Sequence, residues 1–131
     1  MGVRFPSVAS TTFVGPLPAT AAETVVCTSP PFTPPLDAAQ IFIHWFFALS
    51  AGAGTTSYSI RIRRGTTTGG IQLNANQWAL AATPAIADFM SGCYIDNPGA
   101  VSGLQYSLTV MQAGATGAGT QPDVCLLVYS L

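Results

Sequence analysis

The sequence predicts an all-β domain, an antiparallel β-sandwich of the jelly-roll kind with an extended N-terminal arm, and three observations predict it. Two segments alternate cleanly: Tyr58, Ile60 and Ile62 are interleaved with Ser57, Ser59, Arg61 and Arg63, and Leu104, Tyr106, Leu108 and Val110 with Gln105, Ser107, Thr109 and Met111. A period of two is that of a strand with one buried face. Turn-forming clusters of Gly, Pro, Asn and Thr recur roughly every 8–15 residues, the spacing of a sandwich with seven or eight strands. No stretch combines helical periodicity with caps at both ends, and the best helical turns fall around 36–40 and 84–90.

Each element follows from its residues. Positions 1–20 carry Pro6, Pro16 and Pro18, which oppose both helix and central strand, and read as an extended arm. The arm also carries Phe5, Phe13 and Val14, so it is expected to dock on a neighbouring surface, since disordered tails are poorer in apolar residues. The sandwich domain is expected over 21–131. Residues 22–28 form its first strand, closed by Ser29-Pro-Pro-Phe-Thr-Pro-Pro35. Residues 40–50 are almost continuously apolar, as suits a strand covered on both faces. Tyr58 to Arg63 is the first alternating strand and ends at Gly65-Thr-Thr-Thr-Gly-Gly70. Segments 71–82 and 85–93 are weaker strands divided by Pro84, and Asp96-Asn-Pro-Gly99 is a turn by composition. The second alternating strand leads into the loop 114–119, and 123–131 is the last strand.

Composition bounds the function. Hydrophobic residues make up 49% of the 131 and charged residues 7%, against about 25% charged in ordinary soluble domains. With no lysine, the charges are four arginines and five acids. So few charges leave the surface to uncharged polar residues and to contact with other subunits. Nucleic-acid binding through phosphates needs a basic surface, and a net charge of −1 does not supply one. The longest apolar run, 41–53, is interrupted by His44 and Ser50 and falls short of the roughly 18–20 residues of a spanning helix, so no membrane partner is expected. Residues 1–7 do not read as a signal peptide, and the expected site of synthesis is the cytoplasm.

No catalytic or metal constellation is legible, and an enzyme is not expected. His44 is the single histidine, and any Ser-His-Asp or Cys-His arrangement must pass through it. It lies between Phe42 and Phe46 on one strand face, the setting of a core or interface histidine. Cys27, Cys93 and Cys125 are widely spaced, without a paired zinc-ligand motif, and are expected as buried thiols, with a Cys27–Cys125 disulfide as the alternative. The glycine-rich loops 52–54 and 114–119 precede no helix and carry no Lys-Ser/Thr, so no phosphate cradle and no cofactor is expected. Arg61, Arg63 and Arg64 are the one charge cluster, expected to make inter-subunit ion pairs or bind an anion. Trp78 and Tyr94, flanked by Asn74, Asn76, Gln77, Asp96 and Asn97, are the two aromatic residues expected to be exposed, as a platform for a ligand such as a sugar.

Glu23-Thr-Val-Val26, the apolar strand with Trp45, Tyr58-Ser-Ile-Arg-Ile-Arg-Arg-Gly-Thr-Thr-Thr-Gly-Gly70, Tyr106-Ser-Leu-Thr-Val110 and Gly114-Ala-Thr-Gly117 together resemble the small jelly-roll virion proteins of tailed phages and related viruses. The resemblance covers roughly residues 20–131 and consists of strand and loop patterns without site residues. It implies a virion role, as a capsid-decorating protein or small coat subunit, self-assembling into trimers or larger shells with other capsid proteins. A carbohydrate- or receptor-binding module of a viral fibre is the alternative, and a small hydrolase on the same scaffold a third reading.

Overall fold

The computed structural model describes residues 7–12, 22–34, 40–49, 57–79, 88–99, 101–113 and 123–130. These residues contain eight strands: β1 (Ser7–Thr12), β2 (Thr24–Thr28), β3 (Ile41–Leu49), β4 (Ser57–Arg64), β5 (Ile71–Ala79), β6 (Asp88–Asp96), β7 (Tyr106–Ala113) and β8 (Asp123–Ser130). They build two four-stranded sheets in the orders β1-β8-β3-β6 and β2-β7-β4-β5. Every pairing is antiparallel.

The strand order shows how the chain is rolled. β1 pairs with β8, β2 with β7, β3 with β6 and β4 with β5, as in one long hairpin whose tip is the β4–β5 turn. Rolling that hairpin brings β3 against β8 and β4 against β7, which completes the two sheets. This is the jelly-roll arrangement the sequence predicts.

The tip is a tight turn over residues 65–70. Gly65 has φ 122°, which only glycine adopts without strain, and a Cβ at Gly70 would lie 2.6 Å from the Arg64 carbonyl oxygen. Both glycines are therefore dictated by the backbone.

The core lies between the sheets, and alternation fills it. Ile41, Ile43 and Trp45 of β3, Leu126 and Val128 of β8, Ile60 and Ile62 of β4, and Tyr106, Leu108 and Val110 of β7 are all buried. Trp45 faces Gly92 across the β3–β6 ladder, and a Cβ on Gly92 would come within 2.8 Å of the indole ring. The glycine thus makes room for the largest buried side chain. A register shift between Val25 and Cys27 turns both Val26 and Cys27 inward.

The observed elements correct the sequence reading in three places. Residues 7–12, expected within the arm, are a strand of the first sheet, paired residue by residue with Val128 to Asp123; Phe5, Phe13 and Val14 lie outside the described residues. β6 runs through Asp96, so the residue placed in a turn closes a strand. Of the cysteines expected to be buried, Cys27 is buried, Cys125 half-buried and Cys93 exposed, and none is in a disulfide. Burial, with Cys125 nearby, pushes the Cys27 thiol up to about 11.

Candidate interaction surfaces

The arginine cluster lies on and beside the outer face of the second sheet. Ile60 and Ile62 point into the core, so Arg61 and Arg63 point outward, and Glu23, just before β2, reaches over β7 to meet them. Arg61 Nη1 donates to Glu23 Oε2 at 2.8 Å, Arg63 Nε to Oε1 at 2.6 Å, and Arg63 Nη2 to Oε2 at 2.8 Å. The Thr109 hydroxyl donates to Oε1, and Arg63 Nη1 to the Gly70 carbonyl. Thr109 and Ser107, which face outward from β7, are nonetheless fully buried, and Thr109 is held there by the Glu23 carboxylate. Burial raises the Glu23 carboxyl, but the hydrogen bonds from Arg63 and Thr109 and the charges of Arg63 and Arg61 outweigh it and hold it at about 2, against an ordinary 4.5.

Arg64 does a different job. Its guanidinium makes a two-point contact with Asp96, Nε to Oδ2 at 2.9 Å and Nη2 to Oδ1 at 2.5 Å. The Tyr106 hydroxyl donates to Asp96 Oδ2 at 2.7 Å. Asp96 ends β6 of one sheet, whereas Arg64 and Tyr106 belong to the other, so this trio ties the two layers together. Burial, then the contact with Asp96, pushes the Tyr106 phenol well above its ordinary value. All three arginines therefore have acidic partners within the chain itself.

The outer face of the first sheet is chemically opposite. Three cross-strand rows run over it in register: Tyr129, Phe42 and Ile95; Leu127, His44 and Cys93; Cys125, Phe46 and Ser91. None of these nine carries a formal charge with His neutral. His44, Ser91, Cys93 and Ile95 are exposed, Ile95 by 44%, and the other five are half-buried. The Phe42 and Tyr129 rings stack obliquely with centroids 5.0 Å apart. His44 thus sits at the surface, in the middle of this face, rather than in the core.

The aromatic platform changes accordingly. Tyr94 points inward opposite Ile43 and packs, half-buried, against the core. The exposure expected of it is not found, because register with β3 turns it to the inner face. Trp78 pairs with Tyr58 in the β4–β5 ladder, and its side chain lies outside the described residues. A shallow hollow of about 310 Å³, lined by residues that include Arg64, Thr66, Val101 and Gln105, opens at one end of the sandwich. No group of three or more His, Cys, Asp and Glu side chains suited to a metal ion occurs among the described residues.

No family description and no curated protein matches the chain by sequence. Among solved structures it is similar to a chain of the infectious bursal disease virus Gt strain, with a TM-score of 0.59 and 9% identity over 95% of this chain and 33% of that one. The VP2 subviral particle of the same virus gives 0.54 and 11%, over 96% and 33%. Latent PorU of Porphyromonas gingivalis gives 0.55 and 7%, over 96% and 13%. The chain spans about a third of the length of the viral chains it matches. At these identities the likeness is one of fold.

Proposed function

We propose that the chain is a structural virion protein, a coat or capsid-decorating subunit, that works by packing against copies of itself and other capsid proteins. A jelly roll hosts many activities, so the surface has to carry the argument. The observation that carries it is the three uncharged rows on the outer face of the first sheet, on a chain with only 7% charged residues. A solitary soluble domain gains nothing from a sheet covered with Phe42, Phe46, Leu127 and Tyr129, whereas a repeating assembly buries them. The fold shared with a protein that builds a subviral particle supports the same reading.

The role is mechanical and not enzymatic. Turnover is not required of any residue, and assembly free energy comes from apolar area removed from water between copies. Trimers or larger closed shells are the expected species. Purified full-length chain, viewed by negative-stain microscopy and weighed by mass photometry, tests the reading. Rings, shells or a discrete oligomer support it. A chain that stays monomeric while a glycan array shows specific binding replaces it with the fibre-module reading.

A further inference from the structure

We infer that the outer face of the β1-β8-β3-β6 sheet is a two-fold contact with the same face of a second copy. Charge selects the partner. The opposite face of the sandwich presents the Glu23, Arg61 and Arg63 ion pairs, and laying an apolar sheet on them would strip their remaining water without offering any new polar contact. Front-to-back stacking of copies is therefore disfavoured. The three uncharged rows of the first sheet pack like to like without opposing formal charges, and Asp123, which the register places on the same face opposite Ala48, lies beyond them at the end of β8.

Size agrees. With nine residues in β3 and four strands in the sheet, the face outlines roughly 30 by 19 Å, or about 1,100 Å² over two copies. Specific interfaces begin near about 1,000 Å². An isologous contact runs its two-fold axis through the middle of the patch, and the middle row here is Leu127, His44 and Cys93. His44 and Leu127 of one copy then lie beside their own counterparts in the other. The inference is independent of the virion role, since a free-standing binding module would pair through the same face.

The test places a charge in that middle row. Wild-type chain and His44→Asp are compared by sedimentation velocity from about 1 to about 100 µM, the range over which weak contacts dissociate. His44 is exposed, so the substitution is expected to leave the melting temperature unchanged while raising the dissociation constant at least about tenfold. In parallel, His44→Cys in a Cys93→Ser, Cys125→Ser background is treated with a short bis-maleimide and is expected to yield a covalent dimer. A monomeric wild type, an oligomer indifferent to His44→Asp, or no cross-linked dimer overturns the inference. Loss of thermal stability without loss of mass also overturns it, because the face would then be covered by the chain's own residues. Shells that persist in His44→Asp would sink the two-fold contact while leaving the virion reading standing.

Discussion

The two outer faces of this sandwich use their residues for different ends. Over the second sheet, Glu23 is gripped by Arg61, Arg63 and Thr109, and the polar groups largely satisfy one another within the chain. Over the first, Phe42, Leu127 and Ile95 offer apolar area. The comparison teaches that scarcity of charge is a local property. Five of the nine charges lock strands together, and the three uncharged rows of the first sheet leave that face fit for contact between copies.

Breaking the polar face should cost the most. In Glu23→Gln, Arg61 and Arg63 lose their carboxylate while remaining mostly covered, with side-chain exposures of 24% and 11%. Removing one partner of a buried ion pair costs about 3–5 kcal/mol, and partial exposure points to about 3. Urea unfolding measures it. An equal loss from His44→Asp on the other face would erase the distinction between the two.

Acid should act on the polar face too. Glu23 titrates at about 2 when folded and at 4.5 ordinarily. A depressed carboxylate contributes stability that is full above its unfolded value and is lost as pH falls through the folded one. Stability should therefore decline between about pH 4.5 and 2, by about 1–2 kcal/mol after allowance for solvent screening. Glu23→Gln should flatten that part of the profile, and a profile unchanged by the substitution would assign the acid loss to other groups.

The link between the layers comes next. Tyr106→Phe keeps the ring and deletes the hydroxyl that donates to Asp96 at 2.7 Å. Asp96 keeps its two contacts from Arg64, so the expected loss is about 1–2 kcal/mol. A cycle with Arg64→Gln separates the hydroxyl's share from the guanidinium's.

Much of the fold was legible, and the misses share a cause. β4 and β7 were readable because each has one polar and one apolar face, so period two shows. β3 read as a strand covered twice, and within one chain only its Ile41, Ile43, Trp45 side is in the core; the excess of apolar residues on its other side is the trace of the open face. β1 escaped because Ser-Val-Ala-Ser-Thr-Thr has little pattern of its own, and what makes it a strand is β8, more than a hundred residues away. Arg61, Arg63 and Arg64 stood out as a cluster, but their partners Glu23 and Asp96 are 32 to 40 positions distant. Tyr94 turns inward, against the expectation of exposure, because its direction is set by register with β3. In each case the deciding contact is non-local, which a rolled hairpin maximises.

The smallest expected effect tests how complete the polar face is. The Ser107 hydroxyl is fully buried and has no hydrogen-bond partner among the described residues. A buried hydroxyl without a partner carries its desolvation cost uncompensated, so deleting it removes a penalty rather than a bond. Ser107→Ala should then be neutral or stabilising by up to about 1 kcal/mol, where most buried substitutions destabilise. A loss of about 1 kcal/mol or more in thermal or urea unfolding would mean that the hydroxyl is satisfied after all, and that Ser107 belongs with Thr109 among the groups that hold the face together.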